Sequence, residues 1–252
     1  MITLDRVRLL VPKKNTLVLN ENVFDVFTNK ATVKKEFLNN IVGVREITYL
    51  NNAFLLDISG KITAKKSDLG LINKNNIDQV FAKVEDTEIL RFNGSLVDEA
   101  QVLYIDVTKD IEVENPLEAL TAITLLATQK KHKNKILDYK NSGLIIKPHA
   151  KNASDSLAIY LKYKELIRNK SPKNQIYLET IGFETVESFK NTIRLERHLG
   201  TFKDIRKAFK TNSKKIKLNE ILNSSENPVK DKFCEVTSNI NDDLFTEGLE
   251  VF

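Results

Sequence analysis

The stretch AQVLYIDVTKDI, residues 100–111, decides the fold because its many β-branched and aromatic residues predict a long strand. In a strand, successive side chains point to opposite faces of the sheet. Tyr104, Asp106 and Thr108 then share one face, and the apolar residues between them face the core. A buried Asp106 has to be hydrogen-bonded, paired or metal-bound to offset its desolvation. A solvent-facing aspartate on an edge strand is the ordinary alternative.

A helix is predicted soon after this strand, over NPLEALTAITLLATQ at residues 115–129. The segment has an asparagine cap, proline at the first helical position and a wide apolar stripe. Residues 45–64 predict a hairpin that turns at Asn51-Asn52, or a pair of strands broken near Ser59-Gly60. Further strands are predicted at residues 1–11, 22–28, 143–148, 156–162 and 191–199. Further helices are predicted at residues 32–41, 76–84 and 202–210, and beyond residue 211 a helix or two in a loosely held tail.

The composition favours a globular protein with an anionic partner. The chain has 252 residues, 41% of them apolar, and its 39 basic and 34 acidic residues give a net charge of +5. Lysine-rich runs lie at residues 130–135, 162–173 and 202–217, although solvated surface is the ordinary interpretation of each run.

Several classes of protein are disfavoured. The single cysteine, Cys234, cannot form an intramolecular disulfide, and charges interrupt the amino-terminal apolar run, so we expect a cytoplasmic protein. No window approaches the apolar length of a membrane span. The chain has eight glycines, no glycine-rich phosphate loop and no cysteine-histidine zinc spacing, which argues against nucleotide hydrolysis.

Two further segments carry chemistry on predicted strands. In TIRLERHL, residues 192–199, alternation places Arg194, Glu196 and His198 on one face. Glu196 and His198 have the spacing of two ligands for a divalent ion, although an ion pair between Arg194 and Glu196 is the ordinary alternative.

In AIYLKYKELI, residues 158–167, Tyr160 and Lys162 share a strand face, and a helical turn brings Glu165 near them. A tyrosine becomes a nucleophile at neutral pH only if a cation stabilises its phenolate and polarises its target. Lys162 and the carboxylates could supply these functions.

These segments resemble the replication initiation proteins of filamentous phages, the gene-two endonuclease family. That family has an R-I-D-x-T strand, a Y-L-K-x-x-E segment and a V-R-F-E-x-R strand, and residues 104–108, 160–165 and 193–197 are similar to them in the same order. The opening MITLDRVRLLVP is similar to the family's first strand. The Y-x-K-x-x-E and R-x-E elements also resemble those of plasmid initiators of rolling-circle replication.

The resemblance implies an enzyme that nicks and joins DNA. Its tyrosine, matched by Tyr160, attacks one phosphodiester at an origin and leaves a 5′-phosphotyrosyl link and a 3′-hydroxyl for a host polymerase. Lys162 matches the family lysine, and three acidic positions are implied to bind Mg²⁺ or Mn²⁺. These are Asp106, Glu196 and Glu165, with His198 as the alternative to Glu165 for a third ligand.

The chain also departs from the family. Tyr104 stands where the family has arginine, and Tyr163 stands where the filamentous-phage proteins have histidine. Tyr163 is a candidate second nucleophile, and a half-buried ring packed beneath the strand end is its ordinary interpretation. The His-hydrophobic-His metal strand of the wider superfamily is absent, so any metal site has to be carboxylate-rich.

The implied fold is α+β, with an antiparallel sheet of about five strands, helices on one face and an HUH-nuclease-like core that lacks the His-x-His strand. Residues 1–95 would form a β-rich part that extends the sheet or recognises DNA. Residues 96–211 would form the nicking-joining core, and residues 212–252 a polar, partly helical tail.

The expected partners are single-stranded or supercoiled origin DNA and a host helicase and polymerase, in a bacterial cytoplasm and away from membranes. Nine basic residues are predicted to contact DNA, namely Lys130, Lys131, Lys133, Lys135, Lys164, Arg194, Lys203, Arg206 and Lys207. A basic DNA-binding accessory protein without activity is the alternative, although it leaves the acidic residues without a purpose. A purely structural phage or plasmid protein is a third interpretation.

Overall fold

A computed structural model describes residues 1–129, 134–150 and 154–237. Over these residues the chain forms twelve strands and ten α-helices. The strands are β1 Leu4–Pro12, β2 Thr16–Val18, β3 Phe24–Phe27, β4 Lys30–Val33, β5 Val44–Leu50, β6 Ala53–Ser59, β7 Leu90–Phe92, β8 Gln101–Glu112, β9 Asn134–Asp138, β10 Gly143–Pro148, β11 Asp155–Leu161 and β12 Thr192–Leu199. The helices are α1 Lys35–Leu38, α2 Ile77–Glu85, α3 Leu96–Glu99, α4 Pro116–Gln129, α5 Lys162–Arg168, α6 Pro172–Ile181, α7 Phe183–Ser188, α8 Phe202–Ala208, α9 Leu218–Leu222 and α10 Pro228–Thr237.

Ten of these strands form one antiparallel sheet in the order β3-β4-β5-β6-β1-β8-β12-β11-β10-β9. The prediction of about five strands is therefore wrong, and so is the HUH-nuclease-like core that went with it. Strands β8 to β12 form five neighbours, but β1 pairs with the free edge of β8 and continues the sheet into residues before 95. This pairing satisfies backbone groups that an open edge would leave exposed.

The two halves of the sheet repeat one strand order. In the amino-terminal half, the chain goes from β1 to the far edge at β3 and returns through β4, β5 and β6 to pair with β1. In the carboxyl-terminal half, it goes from β8 to the far edge at β9 and returns through β10, β11 and β12 to pair with β8. The first strands of the two halves meet at the centre, so the sheet runs across the predicted boundary at residue 95.

The two faces of the sheet differ in polarity. Apolar side chains of one face join a single core with α4, α8 and α10, through residues such as Leu120, Ile205 and Phe233. A second, smaller core joins α5, α6 and α7 around Tyr177. These three helices stand beside the polar face, so the expectation that helices cover one face alone is also corrected. Within the described ranges, no helix has the length and apolar content needed to cross a bilayer.

A buried ion cluster fixes α10 to the sheet. Arg197, on the core side of β12, donates to both carboxylate oxygens of Asp155 at 2.9 and 3.0 Å and to the carbonyl of Pro228 at 2.7 Å. Lys232 Nζ lies 3.5 Å from the same carboxylate. Burial alone would raise the pKa of Asp155, but the hydrogen bond and charge of Arg197, followed by Lys232, lower it more. As far as residue 237, the predicted loose tail is therefore packed against the core.

Replacing Asp155 with asparagine is expected to lower the free energy of unfolding near neutral pH by about 3 kcal/mol, because two cations then stay buried without their carboxylate. The folded pKa of Asp155 lies below its ordinary 3.8. Its stabilisation is therefore complete above that value and is lost as the pH falls through the folded pKa. Urea unfolding at a pH of about 7 and of about 2.5 should show the difference between variant and wild type narrowing in acid. A difference of equal size at both pH values would contradict this account, and exposed Asp25→Asn is the control.

Candidate functional site

Alternation on β8 and β12 brings Asp106, Glu196 and His198 together on the polar face. His198 lies opposite Asp106 in the register, and Glu196 lies opposite Thr108. One possible ligand atom from each of the three lies within 4.8 Å of the others. Asp106 is 4% exposed and Glu196 8%, so the solvent-facing alternative for Asp106 does not apply.

Tyr160 reaches this cluster from β11, which pairs with β12. Its hydroxyl donates to Glu196 Oε2 at 2.6 Å. The other oxygen of Glu196, Oε1, lies 3.6 Å from His198 Nδ1, which is 2.5 Å from Asp106 Oδ1. The two oxygens of Glu196 therefore face a phenol on one side and the ligand cluster on the other.

Burial and neighbouring negative charge raise the pKa of both Tyr160 and Glu196. Burial, followed by the charge of Glu196, raises the pKa of Tyr160 well above its ordinary value. Burial, followed by the charges of Asp5 and Asp106, raises the pKa of Glu196 to about 7. A cation bound beside Tyr160 and Glu196 would lower both pKa values, because it favours the phenolate and the carboxylate.

Tyr160, Glu196 and His198 lie in a groove of about 770 Å³ on the polar face. Three acidic residues line it, namely Asp5, Glu165 and Glu196. Six basic residues also line it, namely Arg45, Lys61, Lys162, Lys164, Arg168 and Lys173. The groove thus surrounds an acidic centre with a mainly basic wall, a charge distribution that suits a polyanion.

Contacts between the two halves of the chain close part of the groove. Lys61 Nζ lies 4.5 Å from the ring centre of Tyr177 on α6. Lys173 Nζ, also on α6, donates to the carbonyl of Val44 at 3.0 Å. The Tyr177 hydroxyl donates to the carbonyl of Leu69 at 3.1 Å. Helix α6 is therefore held against the amino-terminal half, which contributes one wall of the groove.

Lys162 and Glu165 form an ion pair at the start of α5. Lys162 Nζ lies 2.7 Å from Glu165 Oε2 and 6.0 Å from the ring centre of Tyr160. Burial, followed by the charge of Arg194, lowers the pKa of Lys162. Glu165 is thus engaged by the lysine, and of the two candidate third ligands it is His198 that joins Asp106 and Glu196.

Arg194 lies beneath the site and is 1% exposed. It donates from Nε and Nη2 to the two oxygens of Asp110, both at 2.6 Å, and from Nη1 to Asp5 at 3.2 Å. The alternative ion pair with Glu196 is not formed, since Glu196 accepts from Tyr160. The Arg194 guanidinium is thus already paired with carboxylates of two neighbouring strands, β1 and β8.

Tyr163 points away from the cluster. Its ring packs against the smaller core, and Lys190 Nζ lies 5.5 Å from the ring centre. Hydrogen bonding to Glu187 raises the pKa of its hydroxyl. The contacts of Tyr163 are therefore with the smaller core, Lys190 and Glu187, and they do not include Tyr160.

The other predicted DNA contacts are scattered. Lys164 lines the groove, and Lys135 is exposed on edge strand β9. Lys203, Arg206 and Lys207 lie on α8 in the helical layer, around a separate hollow of about 410 Å³. Lys130, Lys131 and Lys133 lie outside the described residues.

Two groove residues missed by the sequence analysis lie at β-bulges. An extra residue at Asp5 interrupts the pairing of β1 with β8, and one at Arg45 interrupts the pairing of β5 with β6. A bulge turns a side chain toward the face of the sheet opposite to the one that strict alternation predicts. The signal for Asp5 was present, because the alternation of LDRVR fails at its start.

Asp106, Glu196 and His198 fit a divalent cation by the chemistry of their donor atoms. Two carboxylates and an imidazole suit Mn²⁺, and an oxygen-rich set also suits Mg²⁺. All three side chains lie on one face of the sheet, which the shared-ion hypothesis requires.

Comparison with models of known protein families finds no match for this chain, and comparison with curated proteins finds none either.

Proposed function

We propose that this protein nicks one DNA strand through Tyr160 and holds the 5′ end as a phosphotyrosine, as an initiator of rolling-circle replication in a bacterial cytoplasm. The observation that supports this most is the 2.6 Å hydrogen bond from the Tyr160 hydroxyl to Glu196, a member of the ligand cluster. A buried tyrosine with only a packing role needs one partner for its hydroxyl. Here that partner is a buried carboxylate at the base of an open, basic groove.

The reaction assigned to the site is a transesterification. The Tyr160 oxygen forms a bond to phosphorus, and the bond from phosphorus to the 3′ oxygen breaks. Glu196 Oε2 accepts the phenol proton over the existing hydrogen bond, and the released 3′ oxygen takes a proton from water at the open side of the groove. A 3′-hydroxyl reverses the same steps when it rejoins the strand.

Asp106, Glu196 and His198 would hold the divalent cation, Mg²⁺ or Mn²⁺, which when bound neutralises charge on the phosphate and lowers the pKa of the phenol. Lys162 adds a buried ammonium beside the Tyr160 ring. With a cation bound, the acidic residues of the cluster have a role in the reaction. A DNA-binding protein without activity needs no such acidic cluster.

The groove is expected to carry the DNA backbone. Arg45 and Arg168 are exposed on its walls, so replacing both with glutamine should lower the slope of log affinity against log salt by about 1.4 for single-stranded DNA. The matched control replaces Lys203 and Lys207 on α8, where we expect a smaller change. A larger loss of slope in the control pair would move the DNA path to the helical layer.

The proposed function is tested with a radiolabelled pool of random single-stranded oligonucleotides. Incubation with Mn²⁺ should give complexes that survive denaturing detergent, and EDTA should prevent them. Sequencing the captured DNA would then give the preferred cleavage site. Salt-sensitive binding without any such complex would instead support an accessory DNA-binding protein. The absence of both DNA binding and a complex would support a purely structural protein.

A further inference from the structure

A second phenol contacts the ligand cluster. The Tyr104 hydroxyl donates to Asp106 Oδ1 at 2.5 Å and lies 3.4 Å from His198 Nδ1. Tyr104 and Tyr160 thus each donate a hydrogen bond to a buried carboxylate of the same cluster, Tyr104 to Asp106 and Tyr160 to Glu196. The hydrogen bonds alone do not distinguish the roles of the two tyrosines.

Access to the groove distinguishes the two tyrosines. Tyr160 lines the groove, whereas Tyr104 does not. The Arg6 guanidinium instead lies over the Tyr104 ring, 4.7 Å from its centre. Tyr104 is thus held beneath Arg6 of β1, and its hydroxyl contacts a member of the ligand cluster without lining the groove that DNA would enter.

The contacts that hold Tyr104 continue into the amino-terminal half of the sheet. Arg6 donates to both oxygens of Asp57, at 2.7 and 2.5 Å. Asp57 is 1% exposed and also accepts two hydrogen bonds from Arg8. In the repeated strand order, β1 and β6 of the amino-terminal half correspond to β8 and β12 of the carboxyl-terminal half. At this position β1 and β6 carry ion pairs among Arg6, Arg8 and Asp57. Asp57 therefore restrains the Arg6 side chain, and Arg6 in turn restrains the Tyr104 ring beneath it.

We propose that Tyr104 is a positioning residue for the cation site, which orients the Asp106 carboxylate through its hydroxyl and is itself held by Arg6 and Asp57. This inference rests on the proposed function only for the existence of that cation site. Tyr104 and His198 both engage Asp106 Oδ1, so the other carboxylate oxygen, Oδ2, would be the one to face a cation. Loss of a hydrogen bond from a neighbouring residue to a metal ligand typically weakens metal affinity by about 10- to 100-fold.

The test measures Mn²⁺ binding directly, by the electron paramagnetic resonance signal of free Mn²⁺ and by calorimetry. Tyr104→Phe removes the hydroxyl and keeps the ring beneath Arg6. It should raise the Kd for Mn²⁺ by about 10- to 100-fold, leave the unfolding midpoint in urea near that of wild type, and raise the KM for Mn²⁺ far more than it lowers kcat. Arg6→Gln should change the Kd in the same direction.

Tyr49→Phe is the matched control. The Tyr49 hydroxyl also donates a hydrogen bond, to the carbonyl of Asn51, and Lys13 Nζ lies 5.2 Å from its ring centre. Its Kd for Mn²⁺ should be that of wild type. Wild-type Mn²⁺ affinity in Tyr104→Phe, or a DNA adduct mapped to Tyr104, would overturn the positioning role.

The two proposals can fail separately. Mn²⁺ binding that depends on Tyr104, without any cleavage of DNA, would support the positioning role and remove the nicking function. A wild-type protein that binds no Mn²⁺ would overturn the positioning role together with the cation site.

Discussion

Tyr160→Phe is expected to abolish the covalent protein–DNA complex, with a fall in its rate of formation of about 10³-fold or more, because phenylalanine has no oxygen to attack phosphorus. The ring volume is unchanged, so the fold should persist with the loss of one hydrogen bond to Glu196. The measurement is the rate at which a detergent-stable complex forms on an oligonucleotide recovered from the random pool.

Tyr163→Phe is the control for this result. Tyr163 lies three positions along the chain, but its ring belongs to the smaller core and its hydroxyl bonds Glu187. First cleavage by this variant should stay within about twofold of wild type. Mass spectrometry of the trapped adduct checks the assignment independently. An adduct on Tyr163 with none on Tyr160 would reverse it.

Arg194→Met is expected to lower the free energy of unfolding by about 3–5 kcal/mol, because Asp5 and Asp110 are then left without the guanidinium that pairs them. Methionine keeps much of the side-chain volume, so the loss reports charge more than packing. Urea unfolding is the measurement, and Lys207→Met on the exposed side of α8 should change stability by less than about 0.5 kcal/mol.

The same variant separates two roles for Arg194. If Arg194 contacts phosphate, its replacement should lower the salt dependence of DNA binding and leave stability unchanged. A stable Arg194→Met protein with a reduced salt slope would therefore show that Arg194 binds DNA, as the sequence analysis predicted. Partial recovery of stability in the double variant Arg194→Met, Asp110→Asn would support the buried pair.

The candidate site could be predicted where its signals are local. Alternation over a few residues fixes which face a side chain takes, and this places Asp106 with Glu196 and His198 once β8 and β12 are neighbours. Bulges break the rule of alternation, and for that reason Asp5 and Arg45 escaped detection. The contact between Tyr104 and Arg6 joins strands that are distant in sequence, and no local pattern indicates it.

The size of the sheet could not be predicted for the same reason. The strand at residues 1–11, the hairpin at Asn51-Asn52 and helix α4 each have a local pattern, and the structure has all three. What joins them into ten strands is the pairing of β1 with β8, which matches Arg6 to Asp106. Residues 212–237 were expected to be loose because their composition is polar on average, yet apolar residues among them, such as Phe233, join the core.

The central position of β1 also bears on how the protein reaches its native state. β1 precedes every other strand of the sheet in the chain, and its partner β6 follows about 50 residues later. Its other edge stays open until β8 is available. An open edge in the middle of an unfinished sheet is a template for strands of other molecules. Refolding should therefore compete with aggregation, and its yield should fall as the protein concentration rises.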